Sequence, residues 1–174
     1  MRPLAGVRVV ESANYVSGPF AGLMLADLGA DVVKVEPPKG DPYRAFGPQD
    51  ADGGVIFRAV NRNKRSVAID LTTDPGRAEL DEQLDDADVL ITNWRPGVAE
   101  AFGLTADHVR ARFPQLVWVR ISGYGQTGPM SDLPSFDSIV QARVGTSAAM
   151  GEQPILLPFY LADKTAAMFA AQSA

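Results

Sequence analysis

The stretch VRVVESANYVSGPFAGLMLADLGADVVKVE, residues 7–36, places two short β-branched runs on either side of a helical pattern. Residues 7–12 and 31–36 read as strands, because valine-rich runs suit a pleated, buried surface. Between them, a turn at Ser17-Gly18-Pro19 leads into a helix over 20–30. Phe20, Leu23, Met24 and Leu28 fall on one face of that helix, and Gly29 suits the left-handed residue that closes it. Strand, helix and strand in this order form a βαβ unit, so the class is α/β with a mostly parallel sheet and flanking helices.

The same alternation continues outward. RSVAIDL (65–71), DVLITN (88–93) and LVWVRISG (116–123) read as further strands. Asp74-Pro75 opens a helix through GRAELDEQLDDA whose buried stripe is Leu80, Leu84 and Ala87. PGVAEAFGL and TADHVRARFP read as two short helices, the second capped by Thr105. A helix is expected from near Asp137 through SIVQARV to Gly145. Residues 37–63 form a long irregular stretch rich in Pro and Gly, with Val55, Ile56 and Phe57 as its apolar anchors. Most strands end in loops holding polar residues, and open α/β sheets bind ligands beyond those carboxyl ends.

The composition narrows the function classes. The chain has 174 residues, 46% hydrophobic, which is enough apolar material for a core. A net charge of −5 argues against nucleic acid as a partner, since phosphate-backbone binding needs clustered excess cations. The absence of cysteine excludes disulfides and thiolate nucleophiles. The first twenty residues lack the apolar core of a signal peptide, and no apolar run has a membrane-spanning length, so the expected location is cytoplasmic with no membrane partner.

Few residues carry chemistry. Asp163, in LLPFYLADKTAAMFAAQSA (156–174), precedes an alanine-rich helix and reads as its N-cap. There the helix dipole and free N–H groups would keep the carboxylate ionised, and an ionised, partly desolvated carboxylate can attack an activated carbonyl. The glycine turns SGPF and GYGQTGP suit either ordinary turn chemistry or close backbone approach to a ligand. Neither a dinucleotide fingerprint nor a phosphate-binding P-loop is present. Arg62, Lys64 and Arg65 in front of one strand, and Asn93, Trp94 and Arg95 after another, fit an anionic, ring-bearing ligand or a solvated, charged edge. His108, the single histidine, falls on an exposed helical face, so no Ser-His or Cys-His arrangement is available. No spacing of His or carboxylates recommends a metal site.

Six stretches together resemble one family: PLAGVRVVE (3–11), GPFAGLMLADLGADVVKVEPPKGDPYR (18–44), NRNKRSVAIDL (61–71), ADVLITNWRPGVAEAFGL (87–104), VRISGYGQTGP (119–129) and FDSIVQA (136–142). In order and spacing they are similar to the family III CoA-transferases, which include carnitine-CoA transferases, formyl-CoA transferases and α-methylacyl-CoA racemases. The resemblance implies a Rossmann-like large domain, of which residues 1–174 would be the N-terminal, CoA-binding part, with the small domain and a C-terminal return segment outside this chain. It implies an interlocked homodimer, with an acyl-CoA and a carboxylic acid acceptor as substrates and no metal. It also implies a ping-pong reaction through an aspartyl mixed anhydride and an aspartyl-CoA thioester. Asp163 corresponds to the family nucleophile. Such an exchange is close to thermoneutral if each intermediate is as activated as a thioester, so it asks for positioning and oxyanion donors more than for strong acids or bases.

By the same resemblance, Val16 and Ser17 lie near the thioester, Pro37 and Lys39 near the phosphates, and Ile69, Asp70, Leu71 and Thr72 with Asn93, Trp94 and Arg95 along the nucleotide and pantetheine. Pro37 and Ala101 stand where some members have cations, so Lys39 or Arg95 would compensate. Racemases have a His-Asp pair where this chain has Phe136-Asp137, so a proton-transfer base is lost and transfer is favoured, with Asp137 orienting the reacting centre. Val16 replaces a glutamine of formyl-CoA:oxalate members. The competing readings are a racemase or epimerase of 2-methyl-branched acyl-CoA, and a CoA-binding fragment without catalysis of its own. The last helix meets neither Gly nor Pro before Ala174, so a truncated or split chain with exposed interdomain surface is expected.

Overall fold

The valine runs become strands and the segments between them become helices. A computed structural model describes residues 2–174. Strand β1 (Arg8–Ser12), helix α1 (Ser17–Asp27) and strand β2 (Asp31–Glu36) form the first unit. A 3-10 turn (Pro42–Ala45), a small antiparallel hairpin of β3 (Gln49–Asp50) and β4 (Gly53–Gly54), and α2 (Val55–Asn61) follow. Then come β5 (Arg65–Ala68), α3 (Asp74–Leu84), β6 (Val89–Thr92), α4 (Val98–Ala101), α5 (Ala106–Arg112) and β7 (Val117–Arg120). Helices α6 (Asp137–Arg143), α7 (Thr146–Ala149) and α8 (Leu161–Ser173) complete the chain.

The main sheet has the order β5-β2-β1-β6-β7, and all of its pairs are parallel. Alternation along β1 sends its side chains into two layers. Val9 packs with Ala21, Leu25, Ala167 and Ala170 of α1 and α8. Val10 packs on the opposite face with Leu80, Leu84, Val109 and Phe113 of α3 and α5. Helices therefore cover both faces, as a parallel sheet requires. No helix among the described residues is long and apolar enough to cross a membrane.

Local signals held where they depend on neighbours in sequence. Leu80 and Leu84 are buried, Thr105 Oγ1 accepts the His108 N–H at 3.1 Å, and Gly29 has φ +104° directly after α1. Three expectations are corrected. Helix α1 begins at Ser17 rather than Phe20, because the first-turn N–H groups need no intrahelical partner and so tolerate Gly18 and Pro19. Its buried residues include Gly18, Ala21, Gly22, Leu23 and Leu25, whereas Leu28 is exposed and Phe20 and Met24 are only half-buried. The helix is pressed so close that a Cβ on Gly22 would lie 2.1 Å from Glu11 Oε2. Small residues that permit close approach, together with Leu23 and Leu25, form the face that turns inward. The stretch over 37–63 is likewise not irregular throughout, since it contains α2 with Phe57 and Val60 buried.

Beneath α1 lies a group of buried charges. Lys34, on β2, is 1% exposed and Glu11, on β1, is fully buried. The Lys34 Nζ reaches Glu11 Oε1 at 3.0 Å, Asp41 Oδ2 at 3.0 Å and the Ala13 carbonyl at 2.6 Å, which uses all three of its donors. Lys64 Nζ reaches Glu11 Oε2 at 2.7 Å, the Pro19 carbonyl at 2.7 Å and Asn61 Oδ1 at 2.8 Å. Burial pulls down the pKa of both lysines. Glu11 and Asp41 together outweigh burial at Lys34 and leave it raised, while at Lys64 burial and the Lys34 charge outweigh Glu11 and a weaker pull from Asp41, leaving it at about 8. Glu36, at the end of β2, is drawn the other way. Burial would raise it, but Arg44, Ser66 and the Asp41 N–H hold it at about 2.

Breaking this group should cost far more than breaking a surface pair. Glu11→Gln leaves two buried ammonium groups short of a counter-charge and is expected to destabilise the fold by about 3 kcal/mol or more. Arg65→Ala, which removes the exposed Arg65–Asp31 pair, should cost less than about 1 kcal/mol. Urea unfolding of the two variants measures the difference, and equal losses would contradict the central role of the buried group.

Candidate active site

From β1 the chain moves outward to β2 and β5, then returns to the other side of β1 for β6 and β7. The reversal falls between β1 and β6, so the loops after these two strands part and leave a crevice at their carboxyl ends. Asn93 ties the two loops together. Its Oδ1 accepts the Asn14 N–H at 3.0 Å, and its Nδ2 donates to the Asn14 carbonyl at 2.6 Å and to Ser17 Oγ at 3.2 Å.

Three adjoining cavities open at this end of the sheet. The largest, 490 Å³, lies among Val16, Ser17, Trp94, Arg95, Phe136 and Asp163. A second, 400 Å³, is lined by Tyr15, Tyr43, Phe136, Asp137, Tyr160 and Asp163 among others. The third, 250 Å³, lies among Ile69, Leu71, Thr72, Trp94 and Phe102. Trp94 belongs to the first and third and meets Phe102 edge to face, with ring centres 5.4 Å apart. Asp163 belongs to the first and second. Most residues expected at a site from the sequence are thus brought together, but Lys39 is exposed and lies outside these three cavities, and so do Arg62, Lys64 and Arg65, which pair with Asp27, Glu11 and Asp31.

The setting of Asp163 corrects two readings. Helix α8 begins after Tyr160, so Asp163 is its third residue and not its N-cap. The cap comes from another helix. Asp137, buried at the start of α6, accepts the N–H groups of Ala162 at 2.7 Å and Asp163 at 3.1 Å through Oδ1. Its Oδ2 accepts from Gln141 Nε2 at 2.5 Å. The Gln141 side chain in turn pairs with both backbone groups of Leu157, at 3.1 and 2.9 Å. Nor does the helix start keep Asp163 readily ionised. Burial, aided by the nearby Asp137 charge, pushes its pKa up to about 6. The desolvation of a half-buried carboxyl outweighs the dipole.

Several site residues carry no local sequence signal. Tyr15 (φ 62°) and Tyr160 (φ 52°) both adopt the left-handed conformation that bulky side chains avoid, and both line the 400 Å³ cavity. Such strain persists only where the surroundings over-determine it, and it concentrates at functional sites. Tyr43 is buried, and Gln141 is 1% exposed. His108 is half-buried away from the cavities, with Nε2 3.3 Å from Asp81. No group of three or more His, Cys, Asp or Glu side chains is placed to hold a metal among the described residues.

The sequence profile of CoA-transferase family III matches residues 4–174. The chain belongs to CoA-transferase family III. Succinyl-CoA–D-citramalate CoA-transferase of Chloroflexus aurantiacus is 42% identical over 178 residues, covering 99% of this chain and 44% of that protein. Succinate–glutarate CoA-transferase of Agrobacterium fabrum is 42% identical over 172 residues, covering 92% of this chain and 43% of that protein. A CAIB/BAIF family protein from Brucella suis superimposes with a TM-score of 0.94 at 35% identity, covering 98% of this chain and 47% of that one. This family III chain therefore spans less than half the length of these relatives.

The raised pKa of Asp163 makes a stability prediction for the family III chain. A carboxyl whose folded pKa lies above its unfolded value destabilises the fold once pH rises through the folded value. Asp163→Asn should therefore raise the urea midpoint at pH 8 by the equivalent of about 1–2 kcal/mol, discounted for partial exposure, and by clearly less at pH 4, where the carboxyl of the folded chain is largely protonated. Denaturant titrations at the two pH values test this.

Proposed function

We propose that the chain carries the CoA-binding surface and the nucleophile of an acyl-CoA:carboxylate CoA-transferase. The observation that carries this reading is the position of Asp163, the one carboxyl group shared by the 490 and 400 Å³ cavities. The nucleotide end of CoA would lie over Ile69, Leu71 and Thr72, and the pantetheine arm would cross Trp94 and Asn93 into the larger cavity. The thioester would then meet Asp163 beside Val16 and Ser17. Membership of the family and the names of its relatives support the assignment.

In the proposed reaction the Asp163 carboxylate attacks the thioester carbonyl, and the C–S bond breaks with its electron pair leaving on the CoA thiolate. This gives a neutral mixed anhydride. The thiolate then attacks the Asp163 carbonyl and expels the acyl group as its carboxylate, leaving an aspartyl-CoA thioester. The acceptor carboxylate repeats the sequence in reverse, so charge is conserved at every step and no external acid or base is consumed. A half-buried carboxylate with a pKa of about 6 is still mostly ionised at neutral pH and is more basic than a solvated one, which favours attack. Asp137 would hold the start of α8, and with it Asp163, in place.

Racemisation is less well supported. Phe136 has no proton-transfer atom, no histidine among the described residues lines these cavities, and both Asp137 oxygens are already engaged. Action in the cytoplasm as an interlocked homodimer is part of the same proposal. Phe169, 66% exposed on α8, and Val144, 68% exposed after α6, would contribute apolar surface to such an assembly.

Incubation with an acyl-CoA followed by rapid acid quench and peptide mass analysis should find CoA or acyl adducts on Asp163. Asp163→Ala should abolish them. Adduct formation should fall as pH drops through about 6, since only the ionised carboxylate attacks. Failure to label Asp163 with any acyl-CoA would overturn the reading.

A further inference from the structure

Helix α6 grips the chain ahead of Asp163 at two points. One is Asp137, whose Oδ1 accepts the Ala162 and Asp163 N–H groups at 2.7 and 3.1 Å. The other is Gln141, one turn further along α6. Its Oε1 accepts the Leu157 N–H at 2.9 Å, and its Nε2 donates to the Leu157 carbonyl at 3.1 Å. The amide thus pairs with Leu157 as a neighbouring strand would, although Leu157 itself lies in neither helix nor strand. The two grips also touch each other, because Gln141 Nε2 donates to Asp137 Oδ2 at 2.5 Å.

The chemistry leaves this amide one orientation. A glutamine side chain offers two N–H donors and one carbonyl acceptor. Here both donors meet oxygens and the acceptor meets an N–H, so turning the amide over would set like against like at all three contacts. A glutamate at this place would lack the donors, and an alkyl side chain would leave a carboxylate oxygen and both Leu157 backbone groups short of a partner. Asp137 is 8% exposed and Gln141 is 1% exposed, so water is a poor substitute and the loss would be costly.

Between the two grips runs the segment on which the reaction depends. Leu157, Pro158 and Tyr160 line the 400 Å³ cavity, as does Asp163. Tyr160 stands directly before α8 in the left-handed conformation, with φ 52°. A bulky residue keeps that conformation only where its surroundings over-determine it. Leu157 is held on one side of Tyr160, and Ala162 on the other.

We propose that Gln141 is a positioning residue of the transfer reaction, joining the cavity wall at Leu157 to the start of α8 so that the two move as one unit and Asp163 keeps its line of attack. The inference rests on the transferase reading of Asp163 given above. Releasing Leu157 would let Tyr160 leave its strained conformation and the first turn of α8 shift. Displacing a reacting atom by about 1 Å can cost about a hundredfold in rate. The proposed CoA contacts at Ile69, Leu71, Thr72 and Trp94 lie on other segments and would be undisturbed.

Single-turnover labelling of Asp163 by acetyl-CoA, measured across thioester concentration, tests this in wild type, Gln141→Leu and Val109→Ala, each first shown by circular dichroism to be folded. Gln141→Leu removes all three bonds. It should lower the saturating rate about ten- to a hundredfold and leave the half-saturating concentration within about threefold. Val109→Ala truncates the core on the opposite face of the sheet and should leave both values within about twofold, which separates lost alignment from lost stability. A second measurement needs no variant. In wild type, the amide hydrogen-exchange protection factors of Leu157, Ala162 and Asp163, followed by NMR, should agree within about threefold, since a joined unit opens together. An unchanged saturating rate in Gln141→Leu, a loss confined to its half-saturating concentration, or protection at Leu157 more than about tenfold apart from that at Ala162 and Asp163 would each overturn the inference. All three leave the transferase reading standing. Failure of wild type to label with acetyl-CoA or any other acyl-CoA would instead remove the transferase reading, and this inference with it.

Discussion

Two ammonium groups and two carboxylates, buried together beneath α1, set the geometry from which the rest follows. Lys34 sits in the middle of an otherwise apolar strand, and burying its charge alone would be prohibitive. Glu11 on the neighbouring strand, Asp41 before the 3-10 turn and the Ala13 carbonyl surround it. Each partner belongs to a different segment at the carboxyl end of the sheet. Satisfying Lys34 therefore fixes the loop after β1, and with it Asn14, Tyr15 and Val16. Lys64 extends the hold to α2 and to the first turn of α1 through Asn61 and Pro19. The lack of a side chain at Gly22 is the steric counterpart, since an added Cβ would lie 2.1 Å from Glu11 Oε2.

The second constraint acts on the last helix. Helix α8 carries Asp163 into the crevice, and its alanines, Ala167 and Ala170, lie close on the face shared with Ala21 and Leu25 of α1. Its first turn is capped not from its own sequence but by Asp137 of α6, which Gln141 holds in turn. The same contact that orients Asp163 also burdens it, because a second carboxylate and a desolvated setting both disfavour its ionised form. A site that stores free energy in this way is less stable than an apolar core would be, which is the usual relation between activity and stability at a reactive carboxyl. The left-handed Tyr15 and Tyr160, which both line the cavity next to Asp163, belong to the same pattern of local strain held by surrounding packing.

How far the residues could be read depended on the range of the interaction involved. The strands from Val9, Val32, Val89 and Val117 onward, the stripe of Leu80 and Leu84, the Thr105 cap and the Gly29 terminus rest on backbone preference and on neighbours a few positions away. All of them were legible. The inward face of α1 was legible only at Leu23, because Phe20, Met24 and Leu28 dominate any periodicity, while close packing chose Ala21, Gly22 and Leu25. Asp163 could be singled out as a carboxyl at a helix start, but its role as a cap was misread, since its competitor for that role lies 26 residues away. Tyr43 could not be found at all. Nothing local distinguishes a tyrosine buried in a cavity wall from one in solvent.

By itself, then, the sequence determined the α/β class, the order of strands and helices and, through six spaced motifs, the family, because these depend on short-range propensity and on residue identity. Only the tertiary structure decided where the charges of Lys34 and Lys64 are neutralised, which residue caps α8, how hard it is to ionise Asp163, and that Tyr43 lies buried in the wall of the cavity beside it. Those properties arise from desolvation and from contacts between segments distant along the chain, and such contacts exist only once the sheet has brought the loops at its carboxyl end together.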